Sequence, residues 1–333
     1  MAGTIVLTGA NGSAGLHASE HLLKTYPEFH ALFTVRNSAD TDVNTNTLRD
    51  IISRYPNAKA SIHQVDLADL TSVQKFASTL SAGITAGQYF PLKAIICNAY
   101  YWNLVANPEL TVDGHEKTLQ IGFIAHAALV LRLLDKFGSD GGRIELISSI
   151  AHYRRKTQMS PYIPEIPANL EELARPQSDN DKQGRGFQRY ANSKLIMTTW
   201  TYALNRYLQK DSDFYKITAV AQNPGNMGDS RAFRTNTPSS LQFMQKWVMK
   251  PLMPVVRRFV DPTFRPSIEA GIDMVELAVN KTYDGERGYF TLLKKDDPDS
   301  AVLDEETQQK VWAQTIQWAK ITKDDTALKG AFE

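Results

Sequence analysis

Thr4-Ile5-Val6-Leu7-Thr8-Gly9-Ala10-Asn11-Gly12-Ser13-Ala14-Gly15-Leu16 is the stretch from which the fold is read. Residues 4–8 are short and apolar, as expected of a strand buried on both faces. Three glycines follow, at 9, 12 and 15, and the apolar residues Leu16, Leu22 and Leu23 recur at a loose helical spacing through residue 26. Strand, tight Gly-rich turn and helix in that order form a unit whose turn can approach a pyrophosphate closely. The N-terminal end of the helix then favours the phosphate charge. A glycine triplet alone says little; its place between a strand and a helix gives it meaning.

Outward from this unit the same alternation continues. Residues 31–35, 60–65, 94–97, 144–147, 217–221 and 288–292 read as further strands. Leu48, Ile51 and Ile52 mark a short helix, and 114–137 reads as a long one. Short apolar strands separated by helices predict an α/β fold, a doubly wound parallel sheet of Rossmann type, in one domain over 1–333. Two segments break the rhythm. Residues 151–188 hold Pro161, Pro164, Pro167 and Pro176, too many for regular structure, and read as an insertion. It carries Tyr153, Met159, Tyr162 and Ile163, and is expected to shape one wall of a substrate pocket. Residues 226–266 carry Phe243, Met244, Trp247, Val248, Leu252 and Val255 and read as a variable, substrate-binding lid.

Composition narrows the function. With 37 Lys+Arg against 36 Asp+Glu, the chain has no broad attraction for nucleic acid. The single cysteine, Cys97, excludes an intrachain disulfide and a Cys-rich metal site, and no His–carboxylate spacing suggests a metal. No targeting segment or spanning run is visible, so the chain reads as soluble and cytoplasmic. Lys246, Lys250, Arg257 and Arg258 among apolar residues raise peripheral membrane contact, but Pro251 and Pro254 interrupt a continuous amphipathic helix and weigh against it. Oligomeric state is not legible.

The strand ends carry the chemistry. In such a sheet, ligands bind at the C-terminal edge of the strands. Gly9, Asn11, Gly12, Ser13 and Gly15 form the first turn; Asp66-Leu67 follows the third strand and Asn98-Ala99 the fourth. The second strand ends Thr34-Val35-Arg36-Asn37, with no acid to accept from ribose hydroxyls, and Arg36 can pair with a 2′-phosphate. That favours NADP(H) over NAD. Ser149 ends the fifth strand. In Tyr190-Ala191-Asn192-Ser193-Lys194 the spacing puts Tyr190 and Lys194 on one helix face. A phenol with an ordinary pKa of about 10 needs help as an acid–base at neutral pH, and a neighbouring ammonium is expected to lower it.

Together these residues resemble the short-chain dehydrogenase/reductase family along almost the whole chain: the glycine turn, Asn98-Ala99, Ser149, Tyr190, Lys194 and Pro224-Gly225 occur in the family's order. Asp113-Gly114-His115-Glu116, Arg36-Asn37 and Gly288-Tyr289-Phe290 look most like its retinol-dehydrogenase and protochlorophyllide-reductase-like branch. The resemblance implies hydride transfer between NADP(H) and a carbonyl or alcohol; the aromatic and aliphatic residues of both variable segments point to a small lipophilic substrate. Tyr190 would be the proton donor, Ser149 would hold the carbonyl oxygen, and Lys194 would tune Tyr190 and bind ribose; Pro224 and Gly225 would join the cofactor site. The sequence departs from the family pattern at four places. Ser13 replaces a glycine, and Tyr100 ends the usual Asn-Ala-Gly. Asp229-Ser230 stands where a threonine is expected, and Gly122 stands where the family has its catalytic asparagine. Loss of that asparagine motivates the alternative: a non-redox NADP-binding regulator, or a pocket-guided cyclisation catalyst on the same fold.

Overall fold

The computed structural model describes residues 3–157 and 159–332. In chain order, β1 (Thr4–Thr8), α1 (Ser13–Thr25), β2 (His30–Val35), α2 (Val43–Ser53), β3 (Lys59–Gln64), α3 (Leu70–Thr85) and β4 (Leu92–Cys97) build the first half. There follow α4 (Lys117–Leu119), a π-helical turn Gln120–Ile124, α5 (Ala125–Leu131), β5 (Gly142–Ile147), α6 (Glu171–Ala174), α7 (Lys182–Lys210) and β6 (Ile217–Asn223). The last part holds α8 (Ser239–Met244), α9 (Met253–Phe259), α10 (Ser267–Val279), β7 (Gly288–Thr291), β8 (Lys294–Lys295) and α11 (Glu305–Trp318).

The strands form a single sheet in the order β3-β2-β1-β4-β5-β6-β7-β8. All neighbours are parallel except β7 and β8. Strand order reverses between β1 and β4, which opens a crevice at their C-terminal ends. One apolar core lies between the sheet and α3, α5, α7 and α11; the other lies under α1, α2 and α10. Short polar caps start the helices: Asp42 accepts from Thr45 N at 2.7 Å to begin α2, and Asp69 from Thr71 N at 2.8 Å to begin α3.

The structure alters three readings of the sequence. The long helix expected over 114–137 begins at Lys117, swells into a π turn around Gly122 and ends at Leu131. The final seven residues of the segment read as an insertion, 182–188, belong to α7. The Asp181 carboxylate starts that helix by accepting from Gly184 N at 2.8 Å. Proline density hid this start, because it describes the loop upstream and says nothing of where the helix resumes. Two further helices, α3 and α10, went unread.

Candidate active site

The Gly9–Gly15 turn is built around one carbonyl. Gly9 has φ +63°, which favours glycine, and its oxygen accepts from Gly12 N at 2.8 Å. A Cβ at Gly12 would lie 2.9 Å from that oxygen, and one at Gly15 only 2.3 Å. Gly12 and Gly15 therefore let α1 start against the end of β1. The helix begins without a side-chain cap and without an acidic residue in its first turn, so its N-terminus is left to an anion.

A cleft of about 600 Å³ opens above this turn. It gathers Gly9, Asn11, Gly12, Ser13, Arg36, Asp66, Leu67, Asn98 and Ala99, nine of the residues expected to hold a dinucleotide. Arg36 stands exposed at its edge. The nearby carboxylate of Asp42 is occupied in capping α2. Asn98 does two things: it lines the cleft, and its Nδ2 donates to Thr8 O at 2.9 Å and Gly9 O at 3.2 Å, tying β4 to β1. Gly15 does not line the cleft; it serves the turn from behind. Pro224 and Gly225 also lie outside it, in a turn with Gly225 at φ +81°. There Pro224 O accepts from the buried Arg265 Nε at 2.7 Å.

The chain after this turn forms the opposite wall through Met227, Ser230, Arg231, Ala232, Arg234, Thr235 and Asn236. Arg231 fastens it to the glycine turn: its backbone N donates to Ser13 Oγ at 2.8 Å, and its guanidinium reaches Asn11 O and Asn44 Oδ1. Nothing in local spacing singles out Arg231, because its partners lie near the other end of the chain. Asp229 does not face the cleft; its carboxylate accepts from Ser267 N at 2.8 Å and Ser267 Oγ at 3.0 Å, at the start of α10. Only the first third of the segment 226–266 reaches the cleft. Phe243, Trp247, Leu252 and Val255 point to solvent instead. No described residue of 151–188 lines the cleft either; this stretch packs against the C-terminal part, with Tyr153 OH donating to Asp297 O at 2.6 Å.

The three candidate catalytic groups, Ser149, Tyr190 and Lys194, do not themselves line the cleft; Tyr190 packs against Tyr100 and Trp102, and Lys194 against Tyr100, which do. The Ser149 side chain neighbours the Tyr190 hydroxyl, and its Oγ accepts from Ala151 N at 3.2 Å. One turn along α7, Lys194 is buried; its Nζ donates to Ile147 O at 2.5 Å and lies 5.6 Å from the ring centres of both Tyr190 and Tyr100. Aromatic rings enclose Tyr190: Tyr100 at 5.8 Å, Trp102 at 5.7 Å and Phe187 at 5.9 Å between centres, with Phe233 behind Trp102. The run Tyr100-Tyr101-Trp102 directly after a strand end was the sequence signal for this wall.

Electrostatics run opposite to the expectation for Tyr190. Burial pushes its hydroxyl well above the usual phenol range, charge repulsion from the Tyr100 phenol adds to the shift, and the neighbouring Ser149 side chain pulls the other way. The same burial brings Lys194 down to about 7. Desolvation penalises both charged forms. Behind Lys194, the fully buried His126 meets Thr8 Oγ1 at 2.9 Å, and burial, with the Lys194 charge, lowers it to about 3. Gly122 is part of this layer. A Cβ there would meet Ser193 Oγ at 3.4 Å, an ordinary contact distance, so a Cβ fits.

Residues 231–328 match the AcuH dehydrogenase domain. The chain is 26% identical to the short-chain dehydrogenase iccH of Talaromyces variabilis, over 98% of each protein. It is 41% identical to the dehydrogenase acuH of Aspergillus aculeatus, over 29% of this chain and 98% of that protein. Among solved structures, the NADPH-bound carbonyl reductase from chicken fatty liver superposes with a TM-score of 0.56 at 17% identity, covering 89% of this chain and 98% of that one.

Proposed function

We propose that the chain is a member of the short-chain dehydrogenase/reductase family, an NADPH-dependent carbonyl reductase acting on a lipophilic substrate. The grouping of Ser149, Tyr190 and Lys194 behind Tyr100 and Trp102 of the cleft wall, with Lys194 one turn along α7 from Tyr190, carries this reading. The cleft fits the cofactor. It offers a close-approach glycine turn, an uncapped helix start for the pyrophosphate, and Arg36 for a 2′-phosphate, with the Asp42 carboxylate of the same cleft occupied in capping α2.

When bound, NADPH supplies the hydride. The chain's own residues supply the rest. The Tyr190 hydroxyl gives its proton to the carbonyl oxygen as that oxygen gains charge, and the Ser149 hydroxyl donates a hydrogen bond to the same atom. A phenol held high by burial keeps its proton until a developing oxyanion takes it. Lys194, with a pKa about 7, exchanges protons readily at neutral pH and lies close enough to Tyr190 to favour the phenolate left behind. The rings of Tyr100, Trp102 and Phe187 around Tyr190, with Phe233 behind Trp102, suit an aromatic or aliphatic substrate.

The test is consumption of reduced nicotinamide, followed by its absorbance, across a panel of lipophilic ketones and aldehydes. Tyr190→Phe is expected to remove most turnover while leaving NADPH affinity nearly intact, because only the transferable proton is lost. Near-normal turnover in that variant would reject Tyr190 as the donor. One observation favours a second reading: Gly122 has no side chain to organise a water relay. On that reading the fold binds NADP(H) without redox work, and no carbonyl in the panel would consume it.

A further inference from the structure

Residues 239–259 invert the usual arrangement of a folded chain. In this stretch, α8, a π-helical turn Gln245–Met249 and α9 follow one another, and α8 and α9 bury no residue. The side chain buried in the intervening turn is polar, Gln245, which donates to Ser230 O at 2.7 Å. The apolar side chains face outward instead: Phe243, Met244, Trp247, Val248, Leu252, Val255 and Phe259 are all exposed, Trp247 to 60% and Phe259 to 79%. An exposed apolar surface of this extent marks an interaction site.

Charge says what covers it. From Ser230 to Val260 the sequence contains no aspartate or glutamate, while it carries Arg231, Arg234, Lys246, Lys250, Arg257 and Arg258, in a chain whose overall charge is +1. Arg231 is committed to the cleft and Arg257 pairs with Glu269 at 2.8 Å. Lys246 lies over the Trp247 ring at 5.0 Å, and Lys246, Lys250 and Arg258 have no ion-pair partner among the described residues. Outward aromatic and aliphatic residues interleaved with unpaired cations match the boundary between acyl chains and anionic headgroups. Pro251 and Pro254 break the segment into short helices but do not turn its apolar residues inward.

We propose that residues 239–259 dock the protein on an anionic lipid bilayer, with the aromatic side chains entering the interface and Lys246, Lys250 and Arg258 meeting the headgroups. The patch begins three residues beyond Asn236, the last residue of the cleft wall, so docking would bring the cleft mouth to the membrane surface. The proposal does not depend on the assigned chemistry.

The experiment is co-sedimentation of the full chain with phosphatidylcholine vesicles, with and without phosphatidylserine, at low and high salt. Binding is expected to the mixed vesicles, to weaken with salt, and to fall by about tenfold or more in a Trp247→Asp/Phe259→Asp variant. The variant's circular dichroism and NADPH titration should match the parent, because both residues are exposed and neither lines the cleft. Failure to bind the mixed vesicles, or equal binding to neutral ones, would overturn the proposal. So would a dimer in sedimentation velocity that the double variant dissociates, which would assign the face to a second copy of the chain.

Discussion

Gly122 is the residue at which sequence and chemistry pull hardest against each other. A glycine inside a helix costs about 1 kcal/mol relative to alanine, and here it sits in a π turn at the layer that holds Lys194 and His126. The nearest obstacle to a Cβ is the Ser193 hydroxyl at 3.4 Å, and that hydroxyl is already tied to Tyr190 O at 2.7 Å. A Cβ therefore fits, and the circular dichroism of Gly122→Asn should match the parent before its kinetics are read. If Lys194 exchanges protons by another route, turnover should stay within about tenfold of the parent, about 1.4 kcal/mol in the barrier. Steady-state kinetics on a substrate found in the carbonyl panel would check it; a rise of several orders of magnitude would mean that the parent lacks a working relay. At this scale the candidate residues themselves were legible, since Ser149, Tyr190 and Lys194 announce themselves by type and spacing. Their protonation was not. The direction of the Tyr190 shift depends on how much water its neighbours remove, and no spacing rule contains that.

Among the elements, α1 carries most of the nucleotide turn, and its position is set by α10 across it. The two helices cross at Gly271, where a Cβ would come within 2.5 Å of Ala14 O and 2.6 Å of Ala18 N. Backbone atoms cannot swing aside as a side chain can. Gly271→Ala should therefore push α1 away and destabilise the fold by about 1–3 kcal/mol, read from urea unfolding. Because Gly12 and Ser13 move with α1, the same variant should bind NADPH more weakly; unchanged affinity would show that the turn holds itself independently of the helix. Strands were the most legible elements, since runs such as Ile95-Ile96-Cys97 are buried on both faces and need to be apolar throughout. Helices were less so: α3 opens Leu-Thr-Ser-Val and mixes small polar residues into its buried stripe, and α7 begins inside a stretch that its prolines made look irregular.

The whole molecule responds to pH through groups that folding strips of water. His126 titrates at about 3 in the folded chain against an ordinary value of about 6.5, so the unfolded chain binds its proton first. Its contribution to stability is complete above about pH 6.5, falls as pH drops toward 3, and amounts to roughly 5 kcal/mol. Lys194 is lowered to about 7 from an ordinary value of about 10.5; with the same sign, stability falls as pH drops from about 10.5 to 7 and stays reduced below. His126→Gln should flatten the unfolding free energy between about pH 6.5 and 4, and Lys194→Met should flatten it between about pH 7 and 10, each measured by denaturant titration against the parent. Parallel curves for parent and variant would show that these groups are solvated in the folded protein. What the sequence determined by itself was everything carried by local pattern: alternating buried strands and helices, a glycine turn that only a strand-to-helix junction explains, and the tyrosine–lysine spacing on one helix face. Tertiary structure alone decided which distant residues meet. It brought Arg231 onto the turn at Asn11, set Tyr100 and Trp102 around Tyr190, and sent the apolar residues of 239–259 outward where a lid over the cleft was expected. The reason is physical: hydrophobicity states that a side chain leaves water when it can, and only packing in three dimensions states whether the rest of the chain is there to receive it.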